Sequence, residues 1–124
     1  MSNIPITIRL RKASRQITLE YEDGTSFDLP FEYLRVYSPS AQVRGHGPGQ
    51  EVLQIGKENV RITSIDPIGH YALRFIFDDG HDTGLYSWEH LYELGTQLDE
   101  NWRAYLVRLK AAGIDRNESA AVRT

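Results

Sequence analysis

Two stretches near the N-terminus alternate apolar and polar residues one for one, and this period constrains the fold more than any other feature. Ile4, Ile6, Ile8 and Leu10 interleave with Pro5, Thr7, Arg9 and Arg11; Ile17, Leu19 and Tyr21 interleave with Thr18, Glu20 and Glu22. Side chains leave an extended backbone alternately up and down, so period two predicts strands with one buried and one wetted face. Lys12 to Arg15 between the two runs suits a hairpin connection. Asp23-Gly24 marks a second turn, and Ser26 to Leu29 reads as a third strand. Three consecutive antiparallel strands are the simplest arrangement.

Pro30 stops the third strand, and Phe31 to Val36 reads as a short helix with Phe31, Leu34 and Arg35 on one side. Ser38 to Gln50 reads as an irregular loop, because three glycines and a proline crowd Gly45 to Gly49. Val60 to Ile65 is a further strand and Asp66 to Gly69 a turn. Tyr71, Leu73, Phe75 and Phe77 then alternate with Ala72, Arg74, Ile76 and Asp78. Both faces of that strand are partly apolar, which predicts a central position in the sheet. Asp78 to Gly84 makes the next turn, followed by a short strand to Tyr86.

Ser87 can cap a helix that begins at Trp88 and ends at Gly95. Asp99 can cap a second helix, in which Trp102, Tyr105, Leu106 and Leu109 fall at i, i+3, i+4 and i+7. Gly113 ends it. Strands first and helices last predict an α+β fold: a small, mostly antiparallel sheet with C-terminal helices packed on or beside it. The domain is expected over residues 1–113, with 114–124 as a flexible polar tail.

The 124 residues suit a single domain, and 40% hydrophobic with 25% charged residues is a globular balance. With no cysteine, disulfides, thiolate nucleophiles and cysteine-built metal sites are excluded. No signal peptide and no apolar run of about 20 residues are visible, which predicts a cytoplasmic protein without membrane partners. The net charge of −3 argues against nucleic acid as a partner. Arg9, Arg11, Lys12 and Arg15 form a basic block, most simply a solvated strand facing acidic neighbours.

The four histidines, His46, His70, His81 and His90, show no helical zinc spacing. His90 reads as a surface or packing residue and His70 as an exposed turn residue. His81 stands among Asp78, Asp79 and Asp82, a set that could bind a divalent metal. The competing reading is a polar turn that hydrogen-bonds its own backbone, with the carboxylates facing solvent. Arg44 opens a glycine-rich loop containing His46, where a backbone can approach a ligand and Arg44 can grip an anion. The competing reading is a plain surface loop. It is neither a P-loop nor a dinucleotide fingerprint. Lys57 is a lone basic turn residue. Ser38, Ser40, Ser64 and Ser87 lie in no nucleophile elbow, so no catalytic residue is expected.

Four segments carry a family resemblance: Leu34-Arg-Val-Tyr-Ser-Pro-Ser40, Arg44-Gly-His-Gly-Pro-Gly49, Pro67-Ile-Gly-His-Tyr-Ala72 and Phe77-Asp-Asp-Gly-His-Asp-Thr-Gly-Leu-Tyr-Ser-Trp88. Over roughly residues 5–112 the chain resembles the bacterial family labelled domain of unknown function 971, the gamma-butyrobetaine hydroxylase-like N-terminal domain. In that hydroxylase the domain precedes an iron- and 2-oxoglutarate-dependent catalytic jelly roll and helps dimerisation. There it holds a structural zinc through three cysteines and one histidine. The resemblance puts the cysteine positions at Ser38, Ser40 and Val43 and the histidine at His81. Hydroxyls are poor zinc ligands and valine is none, so neither zinc nor any other cofactor is expected. Instead, His81 is expected to hydrogen-bond the Ser38–Ser40 loop.

The chain has no room for the jelly roll, so hydroxylase activity is not expected. The favoured function is a stand-alone interaction or ligand-binding module with Arg35, Arg44, His46, His81 and Trp88 on its functional face. A protein partner or a homodimer is expected. Similar domains are fused to P-loop iron–sulfur carriers, which makes such a carrier a candidate partner. The alternative is a metal-binding accessory protein linked to metal-cofactor handling, with His46, His81, Asp79 and Asp82 as ligands of a divalent metal.

Overall fold

The computed structural model describes residues 4–45, 49 and 51–116. Strands β1 (Thr7–Arg11), β2 (Gln16–Glu20) and β3 (Ser26–Pro30) form an antiparallel meander with β2 in the middle. Ile8, Leu19 and Phe27 stand side by side across it, as do Leu10, Ile17 and Leu29. The central strand buries both faces. Ile17 and Leu19 enter the core, while Thr18 on the other face accepts from Arg11 Nε at 2.7 Å and donates to Asp28 Oδ1 at 2.7 Å.

The N-terminal alternation is only half fulfilled. Ile4, Ile6 and Ile8 are 54%, 67% and 36% exposed, and only Leu10 of that row packs against the core. They share the apolar face of β2, but β1 is the sheet's edge. The main contacts of α1 and α3 with this sheet fall on β3, at the opposite edge.

Helix α1 (Phe31–Val36) has all six residues buried, Glu32 and Arg35 included. So short a helix is not stable alone and is held by what surrounds it. Tyr33 Oη donates to Leu94 O at 2.7 Å, and Tyr86 Oη donates to Leu34 O at 2.5 Å. Glu32 is paired with Arg116. A second helix, α2 (Ala41–Arg44), occupies part of the stretch expected to be irregular; Ser40 Oγ caps it by accepting from Gln42 N at 3.2 Å.

The remaining strands do not extend the first sheet. β4 (Ile62–Ile68), β5 (Ala72–Phe77) and β6 (Leu85–Ser87) form a separate antiparallel meander with β5 central, as its two apolar faces predicted. The fold is α+β with two three-stranded sheets in place of one, separated in sequence by α1 and α2. Asp66 to Ile68 belong to β4, and the turn comes later, at Gly69 to Tyr71. Pro67 is tolerated there because β4 is an edge strand.

Ser87 caps α3 (Trp88–Thr96), accepting from His90 N at 3.1 Å. Gly95 lies inside this helix, and a Cβ added there would strike the Phe27 ring, so the residue serves close packing. Helix α4 (Leu98–Ala111) follows at once; Asp99 sits in its first turn beside Glu100 and is not its cap. It ends at Gly113 (φ 77°), with Ile114 N donating to Leu109 O at 2.9 Å and Gly113 N to Lys110 O at 3.0 Å.

One apolar cluster joins β2, β3, α1, β4, β5, β6 and α3; a smaller one gathers Val36, Tyr105 and Leu109 with Ile114 beneath α4. Ile114 and Arg116 therefore belong to the folded body, not to the tail that 114–124 was expected to form. Among the described residues, no helix is long and apolar enough to cross a membrane.

Candidate functional site

The turn after β5 and the segment after α1 meet across the molecule. Gly80, at φ 91°, turns the chain so that its N–H reaches Phe77 O at 3.2 Å. Asp79 Oδ1 then accepts from His81 N at 3.2 Å, and the imidazole is directed inward. His81 is 4% exposed and Ser38 1%. His81 Nε2 lies 2.8 Å from Ser38 Oγ, and its Nδ1 lies 3.0 Å from Gln42 Oε1. A carboxamide oxygen only accepts, so Nδ1 carries the proton and Nε2 accepts from the Ser38 hydroxyl. Burial, then the Arg35 charge, keep His81 below the usual histidine range against the pull of Asp79. The ring is a neutral hydrogen-bonding group at neutral pH.

A second contact runs parallel to the first. Ser40 Oγ meets Thr83 Oγ1 at 2.6 Å. Gly84 completes the seam: a Cβ there would collide with Ser38 Oγ and lie 3.3 Å from Pro39 Cδ and from Tyr86 Cε1. The expected pairing of the Ser38–Ser40 loop with His81 is thus present, through neutral groups.

Next to it stands a charged knot. Asp79 Oδ2 accepts from Arg35 Nε at 2.9 Å and from Lys57 Nζ at 2.7 Å. Arg35 Nη1 also donates to Gln54 Oε1 at 3.0 Å. Burial acts to raise the Asp79 carboxyl, but hydrogen bonds from Lys57, the His81 amide and Arg35 outweigh it and hold the group at about 2. Asp79 therefore does not simply face solvent, and Lys57 is not a lone cation. Their partners lie 44 and 22 residues apart in sequence, a separation at which no local pattern reveals a pair.

The zinc implied by the resemblance does not fit these residues. Ser38 and Ser40 are neutral hydroxyls already engaged, both nitrogens of His81 are engaged, and Val43 offers no donor. Among the described residues, no three His, Asp or Glu side chains converge. His46, named for both the binding face and the metal alternative, lies outside the described residues.

The other candidates are scattered. Arg35 and His81 are buried and joined through Asp79, whereas Asp82 is exposed. Trp88 is half-buried against the core, its Nε1 donating to His70 O at 2.7 Å. Arg44 is exposed on α2. It borders a groove of about 320 Å³ whose walls include Val36, Val43, Val52, His90 and Arg108. Burial lowers the His90 pKa, and its Nε2 has no hydrogen-bond partner among the described residues. Sequence reasoning missed Arg108, which looks like an ordinary solvated helix residue until α4 is docked.

Solved structures resemble this chain over most of its length. One solution NMR structure is 52% identical with a TM-score of 0.81, covering 94% of this chain and 91% of that one. A second is 47% identical with a TM-score of 0.79, covering 93% and 86%. A crystal structure of a protein of unknown function of the DUF971 family from Acidithiobacillus ferrooxidans is 38% identical with a TM-score of 0.62, covering 73% and 91%. No curated protein shows a significant match. Residues 8–92 match the family described as gamma-butyrobetaine hydroxylase-like, N-terminal. The chain belongs to the gamma-butyrobetaine hydroxylase-like N-terminal domain family, also labelled DUF971.

Proposed function

We propose that this chain is a non-catalytic binding module that offers the groove beside Arg44 to a partner. The observation that carries this reading is the contrast between two neighbouring places. The Ser38–His81 pair has the make-up of a nucleophile and its base, but Ser38, although it borders the groove, is only 1% exposed and fastens two segments together. The groove beside it is open, and its cation Arg44 is exposed. A guanidinium next to apolar wall residues suits recognition without chemistry on the ligand.

The test is capture from native cell extract on immobilised protein, read by mass spectrometry. Wild type and Arg9→Glu should retain the same protein, a P-loop iron–sulfur carrier being the partner class that the family resemblance suggests. Arg44→Glu should lose it. Equal capture by all three proteins refutes the reading, as does a turnover activity that disappears in Ser38→Ala.

A further inference from the structure

We propose that the groove between α2 and α4 binds a small organic carboxylic acid with a short apolar body. The proposal rests on the binding-module reading and names the ligand chemistry of the same groove.

The charges give the first argument. Among the described residues, Arg9, Arg35, Lys57, Arg74 and Arg116 each sit in an ion pair with an acid of this chain. Arg44 and Arg108 are among the eight described cations outside these pairs, and they are the two that border this groove, from α2 and α4. The Arg108 guanidinium is held over the Tyr37 ring, 5.8 Å from its centroid, which restrains it at the groove's edge. One carboxylate, Glu51, also borders the groove, so the two guanidinium groups leave a positive excess. A guanidinium binds a carboxylate through two parallel N–H bonds, so either arginine can hold the acid group of a ligand.

The walls give the second. Val36 and Val43 are buried and Val52 is exposed, so an apolar body entering here covers surface that is already partly dry.

Size and shape give the third. A volume of about 320 Å³ lies at the low end of small-molecule sites. The residues around it come from helices and loops, with no strand edge to which a peptide could add. A free acid therefore fits better than an extended chain.

Hexanoate is the probe, titrated into ¹⁵N-labelled full-length protein and followed by amide chemical shifts. Saturable shifts are expected around Val43, Arg44, Val52 and Arg108. Hexanamide, equal in shape and uncharged, should bind at least about tenfold more weakly, and Arg44→Gln or Arg108→Gln should each weaken hexanoate about tenfold. Both arginines are exposed, and neither variant disturbs the core. Equal binding of hexanamide, shifts scattered away from the groove, or unchanged affinity in the double variant overturns the proposal. So does a peptide ending in a free leucine carboxylate that binds more than tenfold tighter than hexanoate. If hexanoate fails while partner capture still depends on Arg44, only the carboxylic-acid proposal falls. If capture is indifferent to Arg44, the module reading falls with it.

Discussion

Replacing Asp79 by Asn tests how much the charged knot contributes to the fold. Arg35 is 7% exposed, and the substitution removes the only carboxylate it pairs with among the described residues. Leaving one member of a fully buried ion pair alone costs about 3–5 kcal/mol. Two features lower that figure here. The Asp79 side chain is 23% exposed, and Arg35 keeps its bond to Gln54. Asn can also accept one hydrogen bond through its carbonyl. A loss of about 2 kcal/mol follows, or a fall in Tm on the order of 8 °C for a domain of this size. Lys57→Met should cost under about 1 kcal/mol, because that ammonium retains access to water. Urea unfolding followed by the fluorescence of Trp88 and Trp102 gives both values, and a double-mutant cycle with Arg35→Met should return a coupling of about 1.5 kcal/mol. The pH dependence has a definite sign. The folded carboxyl titrates at about 2 against an ordinary 3.8, so its contribution is present above 3.8 and is lost as pH falls towards 2. Wild type and Asp79→Asn should converge over that window. A loss below about 0.5 kcal/mol at neutral pH would refute the idea that Arg35 needs its carboxylate.

His81 and His90 are both held below the ordinary 6.5 by burial, so the unfolded chain binds more protons in mild acid, and stability should fall as pH drops below about 6.5. Urea midpoints between pH 7.5 and 5 should show this slope, and His81→Gln should reduce it. Gly84→Ala should destabilise by about 1–3 kcal/mol through its collision with Ser38 Oγ, and Ser38→Ala in the same chain should recover part of that loss in thermal unfolding. Elemental analysis after zinc loading and dialysis should find well under one zinc per wild-type chain. The Ser38→Cys, Ser40→Cys, Val43→Cys triple variant, with His81 in place, should approach one.

What the sequence made legible was local. The hairpins, α1, the Ser87 cap of α3 and the Gly113 stop of α4 follow from alternation, proline and glycine placement and helical spacing. Helix α2 escaped because four residues beside a glycine-rich run leave no periodic trace. The exposed face of β1 escaped for another reason: alternation says which residues share a face, not whether anything covers it. Two sheets were read as one because strand patterns carry no partner information. At the site, the Ser38–His81 contact came from the family resemblance. The Arg35–Asp79–Lys57 knot and the meeting of Arg44 and Arg108 at one groove needed the docked fold, since each joins segments far apart in the chain.

The order in which contacts close follows from the two meanders. Each joins strands that are neighbours in sequence, so each closes short loops and can form early. The bonds that tie the halves together, from Ser38 to His81, Leu34 to Tyr86 and Tyr33 to Leu94, span 43, 52 and 61 residues and close late. Damage to them should leave the refolding rate nearly intact and hasten unfolding. The lifetime of the native molecule is therefore set at its seam, by a handful of uncharged hydroxyl and imidazole groups.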